Sequence, residues 1–430
     1  MNIYAFILGR VYTLSLAEIF AYIENSGLPF KIIDASAEVL IIQSTGPIDH
    51  EKIMRSLGGI VRIIKIVSIH DKRDTDTPYF ILSNYFKPSV LKNDFLKGGN
   101  GKLQVGVSCY LMHPQIKAYD QPKRIGMLIK KVLQDSGKSI RIVLPQNNLL
   151  SLASVQVANN LLLEKGAEIN IVIGVDKVYV GRTLIVQNFE DYGRRDYQRP
   201  IRDMVVGMIP PKVAQSMINL AGLPSPLSVA YDPFCGLGTI IQEAVLMGYK
   251  AIGSDIEIHQ IVSAEKNLEW FKNRYKVPNG RYHVQHHDAR DCATLVDKFK
   301  AMNAIKKVDA VVTECTLGPM YGSFPPENEI SANHKMLCGL YKDFLSEAAK
   351  FLEKGAKVVM CMPAYKKGRD NYRLLESLDW ASEIGYNIKE VISSVIAKKF
   401  KFLKLTERKT VVYDRKDQVV AREIVIFEKN

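Results

Sequence analysis

Along the chain, apolar residues alternate between short continuous runs and runs at helical spacing. Residues 3–8 (IYAFIL) predict a buried strand, and LSLAEIFAYIENSG then carries its apolar residues on one helical face, closed by Gly27. FKIID and EVLIIQ predict two strands, HEKIMRSLG a short helix and IVRIIKIVSI a further strand. A polar break, HDKRDTDTP, follows. Beyond it YFILSNYF and KLQVGVSCYLM predict strands, QPKRIGMLIKKVLQDSG a helix, SIRIVLP a strand, SVQVANNLLLEKG a helix and EINIVIGV a strand. The first series has the order strand, helix, strand, strand, helix, strand, which is the ferredoxin-like pattern. The second is another small α/β unit, ending near residue 185.

From SVAYDPF onward, strands alternate regularly with helices. The pattern predicts a strand at 228–232, a helix from 239, KAIGSD as a strand, a long helix from 258, and YHVQHH as a strand. It continues with a helix near 291, VDAVVT as a strand, a helix from 335, AKVVMCMP as a strand and another helix. Such alternation predicts a doubly wound, mostly parallel sheet. The last segment, TVVYDRKDQVVAREIVIFE, reads as two strands joined by a polar turn. An antiparallel hairpin ending a parallel sheet is the edge signature of the class I methyltransferase fold. The expected organisation is a ferredoxin-like unit over 1–70, a second α+β unit over 77–185, an Arg/Pro-rich connector over 186–225, and a Rossmann-like α/β domain over 226–430.

Composition changes this picture in two respects. The 430 residues allow two or three domains, and 47% hydrophobic with 24% charged residues excludes a disordered, collagen-like or coiled-coil chain. The formal net charge is +13, with a sequence pI near 9.2, which points to a polyanionic partner, nucleic acid ahead of an anionic membrane surface. That charge is concentrated. Residues 87–150 hold eleven Lys/Arg against three Asp, a local surplus of eight within the second unit. Six cysteines without a CxxC pair predict neither a disulfide framework nor a structural zinc site, and a reducing, cytoplasmic setting. The start, MNIYAFILGR, has the wrong charge order for a signal peptide, and no run reaches 18 apolar residues, so a soluble protein without a membrane partner is expected.

The most informative chemistry is the run Asp232-Pro233-Phe234-Cys235-Gly236-Leu237-Gly238-Thr239, between a predicted strand and a predicted helix. Gly236 and Gly238 permit a tight turn and close approach of backbone to ligand, and the helix start offers free N–H groups. The next strand ends in Gly253-Ser254-Asp255, where a carboxylate can hold ribose hydroxyls, and a third ends in His287-Asp288-Ala289, where an acid can meet an adenine amino group. Three such strand ends describe an adenosine-containing cofactor. A nicotinamide nucleotide is the rival, but its fingerprint wants a third glycine or alanine where Ile241 stands. His286 and His287 lack further ligands at metal spacing and read as strand-end polar residues. Arg194, Arg195, Arg199 and Arg202 of the connector can bind phosphate or pair with Glu190, Asp191, Asp196 and Asp203, two readings of equal weight.

DPFCGLGT with GSD and HDA, the terminal hairpin and the stretch RRDYQRPIRDMVVGMIPPKVAQSMINLAGL together resemble the THUMP-domain RNA methyltransferases, specifically the tRNA guanine-10 N2-methyltransferase group. ILGRVYTLSLAEI, LGGIVRIIKI and SLASVQVANNLLLEKG extend the resemblance to the amino-terminal half, so that it covers nearly the whole chain. The resemblance implies a THUMP module that grips the acceptor end of tRNA, and a catalytic domain that moves methyl from S-adenosylmethionine to an exocyclic amine. On it, Asp232, Phe234, Gly236, Gly238, Asp255 and Asp288 are candidates for holding S-adenosylmethionine, and Lys123, Arg124, Lys130 and Lys131 for holding RNA.

The pattern departs from the family at the end of the fourth strand. Amino-methylating members carry Asp-Pro-Pro-Tyr there, an acceptor for the target NH2 followed by an aromatic ring that stacks on the base. This chain has Thr313-Glu314-Cys315-Thr316, then Leu317-Gly318-Pro319. Thr313 and Glu314 are the candidate contacts to the target amine, and Tyr321 or Phe324 could supply a stacking surface although neither is in register. Two readings follow: an active enzyme with a variant motif, or a cofactor- and RNA-binding protein with little or no transfer activity. A third, Cys315 as a nucleophile toward a pyrimidine, needs a lowered thiol pKa that neighbouring Glu314 would oppose, so a small buried cysteine is the expectation.

Overall fold

In a computed structural model of the protein, the structure describes residues 2–96, 102–147, 149–202, 208–415 and 418–430. Lys97 of the basic stretch and Asp203 of the connector lie outside the described residues. The chain divides into two compact units: residues 1–12, 28–55 and 60–189 form the first, and 13–27, 56–59 and 190–430 the second.

The first unit is built on one eight-stranded sheet. Its strands are β1 (Ile3–Leu8), β2 (Phe30–Ala35), β3 (Val39–Ser44), β4 (Ile60–Asp71), β5 (Leu103–Leu111), β6 (Ile140–Val143), β7 (Gly166–Ile173) and β8 (Lys177–Val186), in the order β2-β3-β1-β4-β8-β7-β5-β6. The first four pair antiparallel, as the ferredoxin-like pattern requires. β4 then pairs antiparallel with β8, so the two predicted amino-terminal segments share a sheet rather than standing apart. Along β1 and β3 every residue but Gln43 is buried, as expected of strands covered on both faces.

Two elements differ from expectation. YFILSNYF contains a helix, Pro78–Ser83, not a strand, because Thr77 caps it by accepting from the Phe80 N–H at 3.2 Å, and Pro78 occupies the first helical position. β8 has no counterpart in the sequence reading. Gly181 interrupts its alternation, where a Cβ would lie 2.6 Å from Ile64 Cγ2 and the Lys65 carbonyl oxygen of the paired strand.

The second unit carries the sheet β11-β10-β9-β12-β13-β17-β15, formed by β9 (Val229–Asp232), β10 (Lys250–Asp255), β11 (Tyr282–His286), β12 (Ala310–Glu314), β13 (Lys357–Gly368), β15 (Tyr386–Lys389) and β17 (Val420–Lys429). β14 (Asn371–Leu374) and β16 (Val411–Tyr413) pair off this path with β13 and β17. The five strands β9 to β13 pair in parallel, and β17 pairs antiparallel with β13 and β16, giving the predicted hairpin. After β13 the chain forms β14 and two short helices, Trp380–Glu383 and Ser394–Lys399, where one further helix was expected. The connector also holds helices Phe189–Tyr197 and Pro211–Ala221, the latter buried at every residue but Lys212. The core beneath the sheet joins Val229, Tyr231, Val311, Val358 and Met360 to Leu337, Tyr341, Phe344 and Leu345 of the helix Glu327–Ala348. Strand order reverses between β9 and β12, the switch point at which open α/β sheets form a crevice at the strands' carboxyl ends.

Candidate active site

The turn after β9 is shaped by its glycines. Gly236 has φ +48° and Gly238 φ +83°, left-handed conformations that disfavour other residues, and the helix Thr239–Leu246 begins directly after them. Gly253 on β10 lets the turn approach. A Cβ there would lie 2.3 Å from Ile241 Cδ1 and 3.0 Å from Cys235 Cβ, so Ile241 packs against β10 where a dinucleotide fingerprint would have its third small residue.

Backbone N–H groups fix the acids. Asp255 Oδ2 accepts from the Gly236 N–H at 2.9 Å and Oδ1 from the Glu257 N–H at 3.0 Å, which ties the end of β10 to the glycine turn. Each oxygen keeps a lone pair for a ligand hydroxyl. Asp232 is 3% exposed, accepting from Thr313 Oγ1 at 2.6 Å and from the Phe234 N–H at 3.2 Å. Burial pushes its carboxyl up to about 8, against the opposing pull of those two donors. Asp288, at the end of the third strand, pairs with Arg290 at 2.6 Å, which lowers its pKa.

Asp232, Phe234, Gly236, Asp255 and Asp288 line one cavity of about 730 Å³, a size typical of cofactor sites. Gly238 lies in the turn and starts the helix but is not on the lining. Thr313 is fully buried, its hydroxyl donated to Asp232, and it does not line the cavity. Glu314 does. The Arg422 guanidinium on β17 donates from Nε to Glu314 Oε1, and its Nη1 reaches Gln418 Oε1 at 3.0 Å. Burial raises the Glu314 carboxyl, while Arg422 and Arg415 hold it back. The cavity therefore joins a turn suited to an adenosine-containing cofactor to a buried carboxylate held by Arg422 and by the Ile209 N–H. Arg415, Gln418 and Arg422 were missed by sequence reasoning; their only signal was polar residues within an otherwise apolar hairpin.

Among the connector arginines, Arg195 pairs with Asp191 and, from Nε, with Glu243 Oε1 at 2.6 Å, and Arg194 pairs with Glu190 at 3.2 Å. Arg199 donates to Thr239 Oγ1 at 2.7 Å, at the first residue of the glycine-turn helix. Pairing thus describes Arg194 and Arg195, whereas Arg199 braces the turn. Cys315 is buried and its thiol is pushed well above the ordinary range by burial, the opposite of an activated nucleophile. His286 and His287 bond the carbonyls of Ile256 and Asp291, each at 2.8 Å. Among the described residues there is no cluster that could hold a metal and no helix long and apolar enough to cross a membrane. Lys123, Arg124 and Lys131 are exposed and Lys130 half-buried on the helix Gln121–Asp135, with Arg124 4.5 Å over the Tyr79 ring.

Residues 199–383 match the family described as RMKL-like, methyltransferase domain. This stretch contains the glycine turn, all three strand-end acids and Glu314. The stretch is similar to the methyltransferase domain of that family. The chain is 32% identical over 192 residues to the tRNA (guanine(10)-N2)-dimethyltransferase of Methanothermobacter thermautotrophicus, a match covering 44% of this chain and 48% of the relative. It is 30% identical over 197 residues to the protein of the same name from Methanocaldococcus jannaschii, covering 44% and 52%. The matches thus span about half the length of these curated relatives. The crystal structure of TrmN from Thermus thermophilus covers 100% of both chains at 14% identity with a TM-score of 0.52, a likeness of fold that extends beyond the methyltransferase domain to the amino-terminal half.

Proposed function

We propose that this protein is a tRNA methyltransferase that transfers methyl from S-adenosylmethionine to an exocyclic guanine amine, N2. The observation that carries this reading is one cavity lined both by the glycine turn with Asp255 and Asp288 and by the Glu314 carboxylate. S-adenosylmethionine supplies a methyl group on a positively charged sulfur. The residues of the turn fit it: left-handed glycines admit backbone contact, Asp255 keeps lone pairs that would accept from ribose hydroxyls, Asp288 suits an adenine amine, and Asp232 suits an ammonium group.

Glu314 would meet the acceptor. With the carboxylate held by Arg422 and by the Ile209 N–H, a remaining lone pair would accept a hydrogen bond from the guanine NH2, orienting the nitrogen lone pair and taking up the proton released on transfer. In this reading Glu314 acts alone at the amine, and Thr313 orders Asp232. Domain roles follow the same reading: ferredoxin-like 1–70 and THUMP-like 77–185 as the RNA-binding half, 186–225 as connector, 226–430 as the methyltransferase, and a cytoplasmic location. Lys123, Arg124, Lys130 and Lys131 would neutralise RNA phosphates, in keeping with the local surplus of positive charge.

The test pairs calorimetry with S-adenosylmethionine and methyl transfer to an unmodified tRNA transcript, followed by digestion to nucleosides. The reading expects micromolar-class cofactor binding and N2-methylated guanosine. Absence of cofactor binding, or methyl recovered only on another base, would refute it.

A further inference from the structure

An extruded base needs a flat apolar surface to lie against, and residues 313–319 contain no aromatic residue where the family pattern has its ring. Among the described residues lining the cavity, the aromatic ones are Phe234 and Tyr321. The undescribed residues 203–207 and 416–417 contain no aromatic residue. Phe234 is committed elsewhere. Its backbone is fixed to Asp232 in the glycine turn, and its ring meets Phe344 edge-on at 5.5 Å, in the core.

Tyr321 is half-buried, and two contacts fix its ring. Asn333 Nδ2, on the helix Glu327–Ala348, donates to the Tyr321 hydroxyl at 2.6 Å. Tyr365 of β13 meets the ring edge-on at 6.1 Å and is itself backed by the His334 ring at 5.5 Å. Gly318, with φ +87°, turns the chain between Glu314 and Tyr321, and a Cβ built on it would lie within 4 Å of both the Tyr365 hydroxyl and Asn333. Phe324 is 41% exposed and does not line the cavity.

Resting on the reading of the cavity as a base-methylating site, we propose that Tyr321, positioned by Asn333 and Tyr365, is the surface on which the target guanine stacks. The stacking ring thus lies further along the chain than the missing tyrosine, on the far side of the Gly318 turn. Glu314 and Tyr321 then divide the task of the missing motif: one holds the amine, the other the base plane.

The experiment compares wild type with Tyr321→Ala, Tyr321→Phe, Asn333→Ala and Phe324→Ala. It uses single-turnover methyl transfer to an unmodified tRNA transcript, and the fluorescence of a transcript with 2-aminopurine in place of guanosine 10, the position in the names of the curated relatives. Cofactor affinity by calorimetry verifies folding. Tyr321→Ala is expected to slow transfer about 10- to 100-fold, the range of a lost base–aromatic stack, and to remove the quenching of bound 2-aminopurine. Tyr321→Phe keeps the ring but loses the Asn333 bond, so it should weaken both only as far as Asn333→Ala does. Asn333→Ala should weaken both in the wild-type background but change nothing further in Tyr321→Phe, which a merely structural role would not produce. If Tyr321→Ala transfers and quenches as wild type and Phe324→Ala do, Tyr321 is not the stacking surface. If wild type quenches through Tyr321 but transfers no methyl, the stacking assignment stands and the proposed activity falls.

Discussion

Two buried arginine–glutamate pairs, one in each unit, share their chemistry and differ in what surrounds them. In the first unit Arg62 and Glu168 are 2% and 0% exposed. Glu168 also accepts from Ser108 Oγ at 2.6 Å, and Arg62 donates to the Tyr110 hydroxyl at 2.6 Å and to the Leu152 carbonyl at 2.8 Å. In the second unit Arg422 is equally buried, but Glu314 is 17% exposed and lines a cavity. A closed network joins strands distant in sequence; an open one keeps an acceptor available for something that is not protein. Burial of charge is therefore not itself a sign of function, and access to a cavity is what separates the two.

The largest contrast should come from removing each arginine. Arg62→Met leaves Glu168 uncompensated in the interior and is expected to destabilise the first unit by about 3–5 kcal/mol, read as a lowered urea midpoint with cofactor affinity unchanged. Arg422→Met should instead lower the single-turnover rate by about 100-fold or more. Its pH–rate profile should also change: the limb lost as pH falls reports protonation of Glu314, which Arg422 and Arg415 favour in its ionised form against burial. Without Arg422 that limb moves to higher pH. Equal effects of the two substitutions on stability and rate would erase the distinction.

A middle-sized effect is expected at Asp255. Asp255→Ala removes the acceptor that ties Gly236 and Glu257 as well as the candidate ribose contact, so S-adenosylmethionine should bind about 10- to 100-fold more weakly by calorimetry. Unchanged affinity would exclude Asp255 from the site.

pH gives a smaller and graded effect. Asp232 is raised from 3.8 to about 8 and Glu18, which accepts from the Gly58, Gly59 and Asn219 nitrogens of its own unit, from 4.5 to about 7. Both folded-state values exceed the unfolded ones, so between them the native state holds protons that the unfolded state has released. Stability of the second unit should fall as pH rises, by up to about 1.4 kcal/mol per pH unit for each group, from about 4 to 8 for Asp232 and about 4.5 to 7 for Glu18. Urea titrations at several pH values would measure this, and Asp232→Asn should flatten the dependence above pH 7.

The smallest change concerns the surface of the first unit. Lys130→Glu with Lys131→Glu should weaken tRNA binding several-fold at moderate salt and reduce its salt slope by about 2, leaving cofactor affinity intact. An unaltered slope would place the RNA contact elsewhere.

The glycine turn, the strand-end acids and the terminal hairpin were legible in the sequence because each depends on local spacing: glycines beside a strand end, acids at successive strand termini, two apolar runs around a polar turn. What stayed hidden depends on distant pairing. Nothing near residue 314 signals Arg422, 108 residues away, and nothing near residue 62 signals Glu168. The helix at Pro78 was concealed by a run of aromatic and β-branched side chains that reads as strand until Thr77 and Pro78 are recognised as a helix start. Tyr321 was visible as a residue, but only the packing of Asn333 and Tyr365 separates it from Phe324.

The central claim is that Glu314, in a motif lacking the expected prolines and tyrosine, serves methyl transfer to guanine N2. Its most direct test is single-turnover transfer of labelled methyl from S-adenosylmethionine to an unmodified tRNA transcript, by wild type and by Glu314→Gln, with cofactor and tRNA affinities measured on both. The predicted result is N2-methylguanosine formed by wild type, and a loss of about 100-fold or more in Glu314→Gln with both affinities preserved. Cofactor and tRNA bound tightly by wild type with no methyl transferred, or equal transfer by the two proteins, would contradict it.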